Sequence, residues 1–202
     1  MLSGLCLVTL LLIGTVCAQQ HAPHAKTAPD TGTITNGLYR NPSFGFSYKL
    51  PFGWVERTQQ MTEDSSDPKK SLLLLSLFER PPEVAGDAVN SAVVIAAESV
   101  SSYPGLKGAE DYFGPLTEVA TGKGFKVTNE PYDFTLGTKH LVRGDFTKET
   151  GKLTMYQASL VVLEKGYVVS FTFIAGSEDE VEQLIENLSF VVTKPARKPV
   201  PR

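Results

Sequence analysis

The sequence predicts an α+β domain built around a mainly antiparallel β-sheet. Apolar segments with the composition and spacing of β-strands follow one another along most of the chain. The last four of them are separated by turns of only two to four residues, which join antiparallel neighbours. A segment near the C-terminus instead repeats its apolar residues every three or four positions, as an amphipathic helix does.

The first strand is predicted within the aromatic-rich stretch YRNPSFGFSYKLPFGW, at residues 39–54. Its large apolar residues alternate with small or polar ones, so we expect them on one buried face: Phe44, Phe46, Tyr48 and Leu50. Trp54, the only tryptophan, follows a Pro-Phe-Gly turn. We expect its ring at the rim of the sheet, where it closes the core, rather than in an exposed ligand platform.

The rest of the sheet is predicted from later segments. Two nearly continuous apolar runs, Ser71–Arg80 and Ser91–Val100, are typical of strands covered on both faces. Four more strands follow between residues 131 and 175, with hairpin turns at Gly137-Thr138, Thr150-Gly151 and Lys165-Gly166. These four are predicted to form an antiparallel meander.

Two helices interrupt the strands. Residues 108–122 form the weaker one, and Gly114-Pro115 in its middle predicts a bent or two-part helix. The second begins at Ser177, which forms a capping box with Glu180. Its apolar stripe must lie on a sheet face and consists of Val181, Leu184, Ile185 and Leu188.

The N-terminus predicts export. Residues 1–18 have the apolar run and small-residue cleavage site of a secretory signal peptide, cut after Ala18. We therefore expect a secreted or periplasmic protein, exported by the Sec route, whose mature chain has no transmembrane span. Both cysteines, Cys6 and Cys17, lie in the signal, so the mature chain would have no thiol. Lipidation of Cys17 stays open.

A flexible leader is predicted at residues 19–36, because this stretch has no apolar period. After cleavage, the amine of Gln19, the backbone amides of Gln20 and His21 and the His21 imidazole would offer the four nitrogens that Cu(II) or Ni(II) prefers. His24 could add an axial ligand, unless Gln19 cyclises. The same pattern also arises without any metal role.

A single domain at residues 37–193 and a basic, proline-rich tail at residues 194–202 complete the chain of 202 residues. The net charge of -3 excludes a globally basic nucleic-acid-binding protein. The tail is either a solvated extended segment or a weak contact for anionic surfaces.

The stretch at residues 39–54, together with VRGDFTKETGKLTMYQASLVVLEKGYVVSFTF and SEDEVEQLIENLSF, resembles the PsbP family of extrinsic photosystem proteins and its secreted bacterial relatives. The Ran-binding nuclear import factor Mog shares their fold. The resemblance implies an α-β-α sandwich and a non-enzymatic function in docking or assembly. The Sec-type signal departs from the plant members and implies a bacterial envelope protein. Histidine-based metal sites do not carry over, because His140 is the only histidine in the domain.

No nucleophile, phosphate-loop or zinc motif occurs in the chain. His140 alternates in phase with apolar residues, which predicts a partly buried packing residue. Arg143 and Asp145 share the opposite face of the same strand and are predicted to form a structural ion pair rather than a substrate clamp. Three loop acids, Glu63, Asp64 and Asp67, do not form an EF-hand pattern. We therefore assign no catalytic, cofactor-binding or metal-ligating residue.

These observations predict a non-enzymatic binding or assembly module whose partner is a protein or another envelope component and not a nucleic acid. The loops at Pro81–Asn90 and Ser101–Lys107, the latter with Tyr103 and Leu106, are the expected contact surface. Two alternatives stay open. A small hydrolase would need a pocket serine within hydrogen-bond reach of His140 and Asp145, and a structural protein would pair through its sheet edges.

Overall fold

The computed structural model of the protein describes residues 29–63 and 71–190. Within these ranges the strands form two antiparallel sheets. The smaller sheet has the order β1-β2-β3-β11 and the larger one the order β4-β5-β6-β10-β9-β8-β7. The strands of the smaller sheet are β1 (Thr33–Thr35), β2 (Leu38–Asn41), β3 (Phe46–Lys49) and β11 (Leu188–Phe190). Those of the larger sheet are β4 (Val55–Glu56), β5 (Ser71–Phe78), β6 (Ala92–Ser99), β7 (Lys126–Leu136), β8 (Lys139–Thr150), β9 (Leu153–Glu164) and β10 (Tyr167–Ala175).

The described residues also form three α-helices: α1 (Thr58–Glu63), α2 (Phe113–Gly122) and α3 (Glu178–Glu186). The seven-stranded sheet lies in the middle of the molecule. One of its faces packs against α2, and the other packs against α3 and the smaller sheet. The predicted α-β-α sandwich around a mainly antiparallel sheet is confirmed, and so is the meander of the last four strands, β7 to β10.

The larger part of the core lies on the face of the sheet that carries α3. Phe46 packs edge-on against Phe171 of β10 at 5.0 Å between ring centroids, and the Tyr48 hydroxyl donates to the Leu184 carbonyl at 3.1 Å. Phe44 is also buried, as the alternation predicted. Trp54 is half-buried and packs against this core, which agrees with its predicted place at the rim.

On the opposite face, α2 approaches the sheet closely at Gly144. A β-carbon at this position would lie 2.6 Å from the Phe113 ring, so only glycine lets the ring rest on β8. The helix is in two parts as predicted, because a 3₁₀ turn at Glu110–Tyr112 precedes α2. In α3, the Ser177 hydroxyl accepts the Glu180 N–H at 3.2 Å. The buried stripe of the helix consists of Val181, Leu184 and Ile185, whereas Leu188, predicted as its fourth residue, lies in β11.

The predicted flexible leader, residues 19–36, includes residues that belong to the smaller sheet. Thr33–Thr35 pairs with Leu38–Asn41 across a two-residue turn at Asn36-Gly37, and both turn residues have positive φ angles of 51° and 69°. Asn-Gly is the strongest short signal of a hairpin, and the polar composition around it concealed this signal. The Tyr39 hydroxyl donates to the Thr31 carbonyl at 2.5 Å and fixes the preceding residues to the sheet.

Two other elements differ from the prediction. Residues 58–63 form the short helix α1, which no sequence pattern predicts, and its first turn is fixed where the Thr58 hydroxyl accepts the Ser76 N–H at 2.9 Å. Strand β7 begins at Lys126, five residues before its predicted start at Pro131, because an edge strand with bulges tolerates a proline. The signal peptide, residues 19–28 of the leader, the basic tail and the domain boundary at 193 lie outside the described residues.

Candidate functional site

A polar cavity lies between the sheet and α3, and we call it the Arg143 cleft. It has a volume of about 190 Å³. The residues that line it are Thr128, Asn129, Tyr132, Arg143, Asp145, Phe146, Thr147, Tyr156, Gln157, Glu178, Val181 and Glu182. Strands β7, β8 and β9 form its base, and the first half of α3 forms its outer side.

Arg143 is the centre of the cleft. Its Nε donates to Asp145 Oδ1 at 2.8 Å, and its Nη2 donates to Glu182 Oε1 at 2.5 Å. The guanidinium lies 5.3 Å from the centroid of the Phe134 ring, within cation–π range. The predicted ion pair of Arg143 and Asp145 is thus present, and their side chains are only 10% and 14% exposed.

The charges in the cleft stabilise one another. Burial by itself lowers the pKa of Arg143, but its hydrogen bonds to Glu182 and Asp145 outweigh burial and raise it. Burial and the hydrogen bond to Asp145 raise the pKa of Tyr132 to about 12. Asp145 Oδ2 also accepts from the Tyr132 hydroxyl at 2.9 Å and from Asn129 Nδ2 at 3.2 Å. This carboxylate therefore has donors on both oxygens.

The structure separates the side chains that the hydrolase alternative needs close together. His140 and Asp145 are five positions apart on β8, so their side chains point to opposite faces of the sheet. His140 contacts Thr135, with 3.3 Å between the hydroxyl oxygen and Nδ1. It is exposed, which contradicts the predicted partial burial, because α2 does not extend over this end of β8.

A second candidate site is the turn that follows β3. Phe52 is fully exposed there. It borders a shallow depression, and we call the two together the Phe52 surface. The other residues that line it are Asn36, Gly37, Leu38, Lys49, Leu50, Pro51, Gly53 and Asn187.

Hydrogen bonds fix the backbone that leads into the Phe52 turn. The Leu50 N–H donates to the Gly37 carbonyl at 2.8 Å, and the Lys49 N–H donates to the Asn187 carbonyl at 3.0 Å. Gly53 has a φ angle of 83°, which lets the chain reverse before Trp54. The exposed ring therefore follows backbone that is fixed by hydrogen bonds to Gly37 and Asn187.

The two loops predicted as one contact surface do not come together. Pro81–Asn90 joins β5 to β6, whereas Ser101–Lys107 follows the other end of β6. A strand of eight residues separates them by roughly 25 Å. The second loop is bound to the sheet instead, since the Tyr103 hydroxyl donates to Glu98.

The edge of the larger sheet does not favour pairing with another chain. Strand β7 has eleven residues, mostly exposed, but it has register shifts between Val127 and Asn129 and between Asn129 and Tyr132. It also contains Pro131, which has no N–H to donate. Bulges and prolines of this kind protect edge strands from aggregation, so the structural alternative gains no support from this edge.

Three residues of these sites are not predicted from the sequence: Glu182, Tyr132 and Phe52. Glu182 and Tyr132 lie on elements far from Arg143 in the sequence, so no local pattern places them beside it. The Pro-Phe-Gly turn did give a signal for Phe52, because a ring at the tip of a turn has no strand neighbours to cover it. Within residues 29–63 and 71–190, no three metal-binding side chains lie together and no helix could span a membrane.

No protein-family model and no curated protein sequence matches the chain significantly. The solution structure of cyanobacterial PsbP from Synechocystis sp. PCC 6803 is similar with a TM-score of 0.51 at 11% identity, over 81% of this chain and 98% of that one. The Ran-binding protein Mog1p of Saccharomyces cerevisiae has a TM-score of 0.46 at 10% identity, over 80% and 98%. LpqN, involved in cell envelope biogenesis of Mycobacterium tuberculosis, has 0.38 at 14%, over 73% and 83%. The likeness to PsbP confirms that the chain has the PsbP-like fold.

Proposed function

We propose that this PsbP-like domain is a secreted or periplasmic binding module that docks on a protein of the cell envelope without catalysing a reaction. The observation that carries the proposal is the fully exposed Phe52 ring on a fixed turn. Aromatic residues that enter a pocket of the partner supply much of the energy of protein interfaces. A turn whose neighbouring backbone is already fixed loses little backbone entropy on binding.

The surroundings of Phe52 fit a protein partner. Leu38, Leu50 and Pro51 extend the apolar surface around the ring, and Lys49 is the charged residue that lines it. A partner with an apolar pocket and an acidic rim would complement this surface. The separation of His140 from Asp145 and the PsbP-like fold support a binding function over a hydrolytic one.

Phe52→Ser tests the proposal in a capture experiment. Because the ring is fully exposed, its removal should leave the melting temperature unchanged while the captured protein is lost. The parent and the variants would be immobilised and exposed to envelope extract of the host, and the bound proteins quantified by mass spectrometry. Val119→Ser is the matched control, since Val119 is 59% exposed on α2. Equal capture by Phe52→Ser and the parent would show that this surface is not the contact.

The proposed location is tested separately. The intact mass of the exported protein should correspond to a chain that begins at Gln19 and has no thiol. A lipid adduct on Cys17, or retention of residues 1–18, would contradict a soluble secreted form. This result does not depend on Phe52.

A further inference from the structure

The Arg143 cleft has space for a ligand group. Its volume of about 190 Å³ corresponds to about six water molecules. Two tyrosines, Tyr132 and Tyr156, line it together with the apolar side chain of Val181. Tyr132 is 39% exposed, so part of its surface stays accessible from the cleft side of the sheet. The Arg143 guanidinium lies 6.0 Å from the centroid of the Tyr132 ring, so this ring already has a cation beside it and offers a ligand its apolar surface.

The cleft carries an excess of negative charge. Asp145, Glu178 and Glu182 contribute three carboxylates, and Arg143 contributes one guanidinium, so the lining has two negative charges in excess. The inner pair is already satisfied, because both Asp145 oxygens accept donors from Arg143, Tyr132 and Asn129. The excess therefore lies at the outer side, on Glu178 and Glu182.

Glu178 and Glu182 are four residues apart on α3, where like charges repel each other. The Glu182 side chain is half exposed and gives one oxygen to Arg143, and Glu178 is exposed with no hydrogen bond to another described residue. A cation between them would remove this repulsion. No group of three metal-binding side chains occurs among the described residues, so the charge pattern fits an organic cation better than a metal ion.

From the volume, the rings and the charges, we propose that the Arg143 cleft binds an organic cation of the alkylammonium or alkylguanidinium class. The cation would lie between Glu178 and Glu182 with its alkyl chain against Tyr132, Tyr156 and Val181. A lysine or arginine side chain of a protein and a free small amine present the same chemistry. The cleft shares no lining residue with the Phe52 surface, so this inference does not rest on the proposed function.

Titration of the full mature chain with n-butylammonium and n-butylguanidinium, followed by ¹H–¹⁵N NMR, tests the proposal. The neutral n-butylurea serves as the matched compound. We expect saturable shifts of the amides of Asn129, Thr147, Glu178 and Glu182 with either cation, and none with the urea. Glu178→Gln should weaken binding about fivefold, because it removes one charge from an exposed ion pair. Glu186→Gln, on the same helix but outside the cleft, should leave binding unchanged.

A blocked Gly-Lys-Gly peptide distinguishes the two sources. Tighter binding of the peptide than of n-butylammonium indicates a basic side chain of a protein, and equal or weaker binding indicates a free amine. The spectrum of Glu178→Gln itself shows whether the variant is folded. The proposal fails if neither the cations nor the peptide shift these amides at 20 mM, on the order of the weakest meaningful affinities. It also fails if Glu186→Gln weakens binding as much as Glu178→Gln, since the attraction would then be unspecific.

Discussion

Two polar clusters on opposite faces of the seven-stranded sheet hold their carboxylates in different ways. On the face of α3, Asp145 and Glu182 are paired with the guanidinium of Arg143. On the face of α2, Glu98 of β6 accepts a hydrogen bond from the Tyr103 hydroxyl, and the neutral hydroxyls of Ser71 and Tyr112 lower its pKa. A full opposite charge stabilises the first cluster, whereas neutral donors hold the second.

The two clusters also differ in how the pKa of their central group is shifted. In the Arg143 cluster, hydrogen bonds to carboxylates raise the pKa of the guanidinium and favour its charged form. In the Glu98 cluster, burial raises the pKa of the carboxyl, and the hydrogen bonds from Ser71 and Tyr112 offset this only in part. We therefore expect neutral donors to compensate the desolvation of a carboxylate less completely than an opposite charge does. The variants below test this contrast, from the largest expected effect to the smallest.

Arg143→Met should have the largest effect. It leaves Asp145, whose side chain is 14% exposed, without its cation. Breaking a buried pair by removing one partner costs about 3 kcal/mol or more. Urea unfolding would measure this loss, and Asp145→Asn in the same chain should restore part of it. A loss below about 1 kcal/mol would mean that water reaches Asp145 and that the pair is not desolvated.

Tyr103→Phe should have an intermediate effect. It removes a hydroxyl donor from Glu98 and keeps the ring, which packs edge-on against Tyr112 at 5.2 Å between centroids. Loss of a single hydrogen bond to a half-buried carboxyl should lower the free energy of unfolding by about 1 kcal/mol. Tyr132→Phe is the corresponding variant in the other cluster. If Tyr132→Phe lowers the free energy of unfolding clearly more than Tyr103→Phe does, Asp145 depends on its hydroxyl donor more than Glu98 does. The proposed contrast between the two clusters would then be wrong.

Glu98→Gln should change how stability depends on pH. A carboxyl whose pKa is raised on folding contributes stability below its unfolded pKa and loses that contribution as pH rises through the folded pKa. The substituted glutamine cannot ionise, so Glu98→Gln does not lose stability in this way as the pH rises. Its free energy of unfolding should therefore rise relative to the parent between pH 4 and pH 7. Thermal unfolding at several pH values measures the difference, with Glu186→Gln as an exposed control. A difference that stays flat or reverses would show that the hydroxyl donors outweigh burial.

Glu182→Gln should have the smallest effect on stability. The Glu182 side chain is half exposed, so solvent screens its interaction with Arg143. Exposed pairs contribute up to about 1 kcal/mol, and we expect about 0.5 kcal/mol here. Urea unfolding of this variant beside Arg143→Met separates the exposed half of the cluster from its buried half. A loss as large as that of Arg143→Met would place the main strength of the cluster at Glu182 instead of Asp145.

The sequence predicts best those strands, turns and helix ends that depend on neighbouring residues. Three features follow from the spacing and type of adjacent residues. They are the apolar runs of β5 and β6, the turns of the meander and the Ser177 cap. The six-residue α1 has no buried residue and so no apolar stripe to recognise. His140 was misplaced because alternation tells which face a side chain takes, but not how far the covering helix extends.

The site could be predicted only in part for the same reason. Arg143 and Asp145 are two residues apart on one strand, so their contact follows from the strand period. Glu182 reaches Arg143 from a helix 39 residues later in the chain. The exposure of Phe52 likewise depends on what the rest of the fold leaves uncovered. Contacts of this kind are set by the packing of distant elements, which the sequence does not display locally.

The pairing of β3 with β11 has a consequence for the order of folding. The hydroxyls of Ser47 and Ser189 are 3.0 Å apart across this pair, although 142 residues separate them in the chain. Contacts so distant form late, because closing a long loop costs entropy before any contact repays it. The meander from β7 to β10 needs only short loops, and pulsed hydrogen exchange during refolding should find its amides protected first. A chain still missing β11 would leave Phe46 and Tyr48 without their outer neighbour, so the last strand to be synthesised is also the one that completes the main core.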